Sequence, residues 1–353
     1  MPMKRYIFTR FPKYTGIGKY VHDLLEIKGI DTFIYSISFR NDVNSEDYYG
    51  NLLEPAIKIP KTTGWFINTR FQRILFRNLK KHISNGKDTE ENIFHYSDYG
   101  IVPVTEKYRS VLTIHDLFQV SGNYNKYGYN SQSFLKKNIK EYFEFPHLLA
   151  VSNHVANEAV EFGFEHLPKV IYPPVADYLK SGLDKLQCRK KYSLAIDKKL
   201  VLSVSTDDPR KNMKTVKKTL DLLGSDYKLV RVGSKLDGAY NFRNLTNISL
   251  NEIYNACDVL LFPTLDEGFG YPLIEAMATG LPFVASNIEV VKEVCGKAGI
   301  LVDPTPENCT LAVKEAISQR DEQIERGYER VHVYSFEKFA DNVFSFYKDV
   351  VKS

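Results

Sequence analysis

Two glutamates, two glycines and two prolines share one short stretch of the chain, Leu261–Glu275, which reads LFPTLDEGFGYPLIE. The apolar run that ends at Phe262 reads as a strand. A loop with Glu267, Gly268, Phe269 and Gly270 follows, and then a helix with Pro272 in its first turn, where the missing N–H costs nothing. Glycines let backbone N–H groups approach a ligand closely, and a helix start favours anions and polar oxygens. Glu267 precedes the helix and Glu275 lies about a turn inside it. Carboxylates repel phosphate, so this pair is suited to accepting hydrogen bonds from sugar hydroxyls. Taken alone, it also fits a solvated glutamate and a glycine turn.

A second candidate is Ser203–Met213, SVSTDDPRKNM. A strand ends, an acidic turn follows, and Arg210 and Lys211 stand before a helix. Cations there oppose the macrodipole, so the spacing predicts a compensating anion, such as a diphosphate whose charge grows as it leaves. A plain surface pair of cations has the same spelling. In the first half, Val111–Leu117 reads VLTIHDL and puts His115 at the carboxyl end of a strand. A histidine there could bond a sugar hydroxyl, although a capped loop is also compatible. Gly16 and Gly18 open the first helix, with only the GxG of a dinucleotide fingerprint. The third glycine position is Val21, and no suitable acidic residue follows the second strand, which argues against a dehydrogenase.

The run Asn251–Pro304 (NEIYNACDVLLFPTLDEGFGYPLIEAMATGLPFVASNIEVVKEVCGKAGILVDP) resembles the signature of retaining glycosyltransferase family 4, the group 1 glycosyltransferases that include glycogen-synthase-like and mannosyltransferase-like enzymes. The glutamate–seven–glutamate spacing, the EAMATGLPFVAS stretch and the closing GILVDP are all in register. The resemblance implies a GT-B fold: α/β, with two Rossmann-like doubly wound domains facing a central cleft. It implies that Glu267 and the Gly268–Phe269–Gly270 backbone meet the donor hexose, that Glu275 binds ribose, and that Lys211 holds the diphosphate. Arg210 is expected to help, since Ser205 stands where many members have a Gly-Arg. His115 is expected to face the donor sugar, and Gly16 and Gly18 to lie near its phosphates.

The implied reaction transfers a hexose from a nucleotide-diphosphate sugar, GDP-mannose ahead of UDP-glucose, to a glycan or lipid-linked acceptor, with retention. The departing phosphate oxygen would take the acceptor proton. No Asp-x-Asp is present, and neither a metal nor a cofactor is expected. A sugar-nucleotide 2-epimerase of the same fold and an inactive sugar-nucleotide-binding subunit are the alternatives.

These residues need a scaffold of alternating strands and helices, and the sequence supplies it twice. Strands are expected at Tyr6–Thr9, Thr32–Ser38, Asn92–Tyr96, Ser110–Ile114 and Leu148–Val151, with helices at Ile17–Ile27, Ser131–Phe145 and Asn153–Phe162. The prolines of Val170–Asp177 interrupt the pattern. A second series has strands at Leu200–Ser205, Lys228–Val232, Asp258–Phe262, Pro282–Ala285 and Ile300–Val302, with helices at Asn212–Leu223 and Pro272–Thr279. Such alternation means parallel sheets covered on both faces. The expected domains are 1–172 for the acceptor and 173–334 for the nucleotide-sugar, with a last helix (335–353) returning to the first.

The chain has 353 residues, 43% hydrophobic and 25% charged, as in ordinary globular proteins. Its net charge of +4 belongs to residues 1–172, with 22 basic against 18 acidic residues; the remainder has 25 of each. That is too thin a basic excess for nucleic acid. Four dispersed cysteines, no signal-like apolar run and no stretch approaching 18 apolar residues lead to an expectation of a cytoplasmic protein.

From Pro55 to Lys87 there is no acidic residue, but there are eight basic ones. Ile67, Phe71, Ile74, Leu75 and Leu79 fall on one side of a helix, and Arg70, Arg73, Arg77 and Lys80 on another. This is the pattern of an interfacial helix, and residues 58–87 are the expected peripheral contact with the inner face of the cell membrane. A core helix with a wet basic face is the plainer alternative. A basic residue near an anionic surface contributes about 1 kcal/mol, and salt screens it. The chain should therefore sediment with anionic vesicles at low salt and be released at high salt. Replacing Arg70, Arg73 and Arg77 by Glu should abolish the binding. Indifference to vesicles at low ionic strength would favour the core helix.

Overall fold

The computed structural model describes residues 3–11, 15–38, 57–58, 92–101, 103, 109–121 and 133–353. Apart from residues 57–58, the basic segment 58–87 and the helix expected in it lie outside the described residues. The chain divides into two compact units, Met1–Pro173 with Glu337–Ser353, and Pro174–Phe336.

Among the described residues the first unit holds a parallel sheet of seven strands: β1 (Lys4–Thr9), β2 (Asp31–Ser38), β3 (Ile57–Lys58), β4 (Asn92–Tyr96), β5 (Ser110–Ile114), β6 (His147–Ala150) and β7 (Lys169–Val170). Their order is β3-β2-β1-β4-β5-β6-β7. Helices α1 (Gly16–Glu26), α2 (Ser133–Ile139) and α3 (Asn153–Phe162) connect them. All five residues of both β4 and β5 are buried, as expected of strands covered on both faces. The helix expected over Ser131–Phe145 is a shorter α2 that tightens into a 3₁₀ turn at Lys140–Tyr142. Ser152 caps α3 by accepting from the Val155 N–H.

The second unit begins with α4 (Lys185–Lys191), followed by β8 (Lys199–Ser205), α5 (Met213–Leu223), β9 (Tyr227–Gly233), β10 (Tyr240–Phe242) and α6 (Asn247–Ala256). Next come β11 (Val259–Phe262), α7 (Tyr271–Thr279), β12 (Phe283–Ser286), α8 (Glu289–Cys295) and β13 (Ile300–Val302). Helices α9 (Pro306–Ser318) and α10 (Arg320–Val331) complete it. The six strands are parallel, in the order β10-β9-β8-β11-β12-β13. Val201, Leu229, Val259, Leu261 and Val284 present one face of this sheet to Val216 of α5 and to Ala312 and Val313 of α9. Burying each large aliphatic side chain contributes about 1.5–3 kcal/mol. Asp258, just before β11, accepts from the Leu200 N–H at 2.6 Å, Arg189 at 2.7 Å and Lys185 at 3.0 Å. This carboxylate joins α4 to the start of both central strands. All four cysteines are buried, free thiols.

The last helix, α11 (Phe336–Lys352), packs on the first unit, and a buried polar chain secures it. The Tyr347 hydroxyl lies 2.5 Å from His95 Nδ1, and His95 Nε2 lies 2.7 Å from the Thr113 hydroxyl. Thr113 in turn meets the Tyr20 hydroxyl of α1 at 3.2 Å. Burial, followed by the nearby charge of Arg5, holds the His95 imidazole well below its ordinary pKa. It is therefore neutral in the folded chain, whereas the unfolded chain takes up a proton near pH 6.5. Stability should be fullest above that value and should fall on acidification, by up to about 1.4 kcal/mol per pH unit from this residue. Denaturant titrations between pH 7 and 5 check this, and His95→Gln should flatten the dependence by that one proton.

Candidate functional site

In the second unit the strand order reverses between β8 and β11. Helices leave the two strands toward opposite faces at such a point, and the crevice beyond their carboxyl ends is where open α/β sheets bind ligands. The loops after β8 and β11 carry the two motifs singled out from the sequence.

After β8 the chain turns through Thr206–Asp208 into a 3₁₀ turn, Pro209–Lys211. The Asp208 carboxylate caps that turn by accepting from the Arg210 N–H at 3.0 Å. Asn212 then takes a left-handed conformation, φ 54°, and α5 starts. The two cations expected at a helix start stand slightly ahead of it. Arg210 and Lys211 stand in the short turn ahead of α5, and carboxylates of the chain already face them. Arg210 Nε lies 3.3 Å from Asp208, and the Lys211 ammonium is ion-paired with Glu267.

The β8 turn is fixed from below by Arg231 of β9, which is buried and was not singled out from the sequence. Its guanidinium donates to the carbonyls of Ser205 at 2.6 Å, Ser203 at 3.3 Å and Thr206 at 3.3 Å. Burial lowers its pKa to about 10, against the opposing charge of Asp207. Gly233 follows at φ 132°, where a Cβ would stand 1.9 Å from the Ser205 carbonyl oxygen, so only glycine fits.

After β11 the loop is stitched to the first one. The Arg210 carbonyl accepts from the Leu265 N–H at 2.6 Å and the Thr264 hydroxyl at 3.2 Å. This brings Glu267 to Lys211, with each side chain under 15% exposed. Phe269 is buried with its ring against Tyr271 and Tyr334, so Gly268–Phe269–Gly270 offers a ligand its backbone. Gly270, at φ 98°, turns the chain into α7. Glu275 is 3% exposed and accepts from the Tyr254 hydroxyl of α6 at 2.6 Å. Burial, then the Glu275 charge, pushes the Tyr254 phenol well above its usual pKa, so it stays a proton donor.

In the first unit, Thr15 caps α1 by accepting from the Gly18 N–H at 2.9 Å; Gly16 is exposed and Gly18 buried. His115 follows β5, edge-on to the Tyr20 ring at 4.8 Å. Burial lowers its pKa to about 4. The Ser97 carbonyl takes the proton of one ring nitrogen, and Nε2 is buried with no hydrogen-bond partner among the described residues. That nitrogen is an acceptor available to a substrate hydroxyl. Nearby, Arg10 is paired with Asp98 at the β1/β4 switch point, a contact between residues far apart in sequence.

Residues 184–330 match the family described as glycosyl transferases group 1. O-antigen chain mannosyltransferase B of Escherichia coli is 24% identical over 293 residues, 74% of this chain and 75% of that protein. O-antigen chain mannosyltransferase RfbU of Salmonella typhimurium is 28% identical over 158 residues, 40% and 45% of the two chains. Among solved structures, Anabaena HepE in complex with UDP and glucose aligns with a TM-score of 0.75 at 14% identity, covering 98% of this chain and 100% of that one. WaaG, a glycosyltransferase involved in lipopolysaccharide biosynthesis, aligns with a TM-score of 0.70 at 16% identity, covering 97% and 99%. The fold is GT-B, as the sequence led us to expect.

The Lys211–Glu267 pair is open to a double-mutant cycle. The costs of Lys211→Ala and Glu267→Ala, added together, should exceed the cost of the double variant by a coupling of about 1–2 kcal/mol. Denaturant unfolding measures it, and additive effects would mean that the pair does not form in solution.

Proposed function

We propose that this chain, which matches the group 1 glycosyl transferases over residues 184–330, is a retaining, metal-independent hexosyltransferase. It takes a hexose from a nucleotide-diphosphate sugar, GDP-mannose ahead of UDP-glucose, and passes it to a glycan or lipid-linked acceptor. The observation that carries this reading is the meeting of Lys211 and Glu267 at the β8/β11 switch point, inside the matched region. Mannosyltransferase relatives support the choice of sugar.

In this reading the diphosphate takes the place of Glu267 at the Lys211 ammonium. Glu267, released, accepts hydrogen bonds from the hexose hydroxyls beside the Gly268–Gly270 backbone. Glu275, held by Tyr254, accepts from the ribose. Lys211, with Arg210 beside it, stabilises the charge that develops as the bond from anomeric carbon to phosphate oxygen breaks. That oxygen takes the proton of the acceptor hydroxyl, whose oxygen bonds the anomeric carbon on the same face. His115, neutral, accepts a substrate hydroxyl at Nε2. The first unit is assigned to the acceptor and the second to the donor. The expected place of work is the cytoplasmic face of the cell membrane; among the described residues no helix is long and apolar enough to cross a membrane.

NMR of the product formed from GDP-mannose and a mannose-terminated acceptor tests this. An α-linked product supports the reading and a β-linked one overturns retention. A new sugar nucleotide formed without acceptor would indicate an epimerase instead. Glu275→Gln should weaken binding of GDP by about 1.5–3 kcal/mol, the value of a charged hydrogen bond. Lys211→Ala should lower kcat/KM and leave acceptor affinity unchanged.

A further inference from the structure

We propose that a recess at the carboxyl end of α7 is a second binding site, for a small phosphate monoester. Helix α7 begins at the loops that carry Glu267 and Gly270 and ends nine residues later at Gly280. Beyond that end lies a cavity of about 240 Å³, walled by Lys185, Tyr254, Asn255, Thr279, Arg320 and Tyr328. This is below the ~300 Å³ at which ligand pockets usually start, so the occupant is small.

The charge around it is unbalanced. Lys185 and Arg189 are both ion-paired with Asp258, and the charge of Arg320 lies near Lys185. Burial lowers the Lys185 pKa, and although Asp258 opposes this, Arg320 and Arg189 add to it. Arg189 is consumed by the protein: it donates to the Ala256 carbonyl at 2.9 Å and to Asp258 at 2.7 Å. Arg320 is not, because its one hydrogen bond among the described residues is a 3.4 Å contact with the Gly280 carbonyl. The Tyr328 hydroxyl stands over Gly280, where a Cβ would lie 2.4 Å from it, and makes no hydrogen bond to the described residues. An ammonium, a guanidinium with spare donors and a phenol therefore converge on one small space. A dianion with several acceptor oxygens matches that set.

The walls are also preorganised, which lowers the cost of binding. Asn251 accepts from the Lys180 N–H at 3.0 Å, and Asn255 accepts from the Leu183 N–H at 3.3 Å while donating to the Lys180 carbonyl at 2.9 Å. These bonds hold the loop before α4 against α6. The acidic side chains of α10, Asp321, Glu325 and Glu329, line a neighbouring open groove that shares only Ile324 and Tyr328 with the recess. A second phosphate reaching that way would be repelled, so the site suits one phosphate on a small neutral body. Tyr254, one of the walls, is the residue bonded to Glu275, which leaves the recess one side chain from the proposed ribose contact.

Titration calorimetry of the full chain with glycerol 3-phosphate tests this, with glycerol as the uncharged control. The wild type and Lys211→Ala should bind glycerol 3-phosphate alike, and neither should bind glycerol. Arg320→Gln should weaken binding about tenfold or more, and Tyr328→Phe about threefold. If Arg320→Gln fails to melt cooperatively, Tyr328→Phe decides. No saturable binding overturns the proposal. So does binding that survives both recess variants or disappears in Lys211→Ala, since the phosphate would then be at the other site.

Discussion

Lys211 and Glu267 lie on loops that leave strands β8 and β11, separated by more than fifty residues, and the reversal of strand order makes those loops neighbours. A cation and a carboxylate packed together at low exposure need each other as long as nothing else is there. Either charge alone would be held out of water without a partner. The remaining features of the crevice keep this pair in place. Arg231 fixes the floor of the first loop, the Arg210 carbonyl binds the second loop to it, and Gly270 directs the chain into α7. In the proposed reaction an incoming phosphate would replace the carboxylate without leaving the ammonium uncompensated.

The same physical device recurs through the molecule. Where a loop or helix must be held at one position, a buried polar side chain is surrounded by several hydrogen bonds. Asp258 does this for α4, and His95 does it for α11 through Tyr347 and Thr113. Apolar packing makes the sheets and helices cohere, but it is tolerant of small slides. Directional bonds in a low-dielectric interior are not, because an orphaned buried donor or acceptor costs about 1–3 kcal/mol. That intolerance gives the loops above the strands a defined geometry.

Much of the scaffold was legible in the sequence. Asn92–Tyr96, Ser110–Ile114, Asn153–Phe162 and Ile300–Val302 are found as expected, because apolar runs of β-branched and aromatic residues bounded by turn residues have few other readings. Other elements escaped. Strands β7 and β10, with two and three residues, are too short to show a period and exist because a longer strand lies beside them. Helices α4 and α10 are so rich in charge that their apolar stripe is thin, and the partners of their buried side chains are set by the fold.

By itself, the sequence determined the class of the fold and marked the short segments that are candidates for chemistry. Residue type, spacing and glycine placement are local properties, and Glu267, Glu275, Lys211, His115 and the Gly268–Gly270 turn could be marked from them. The tertiary structure alone decided what each of these touches. That Lys211 faces Glu267, that Tyr254 donates to Glu275, that Arg231 supports the β8 turn and that His115 Nε2 is buried with no hydrogen-bond partner among the described residues follow from parallel crossovers that bring distant segments together. A crossover spends a whole helix between one strand and the next, so contacts across the sheet join residues too far apart in the chain for any local pattern to record.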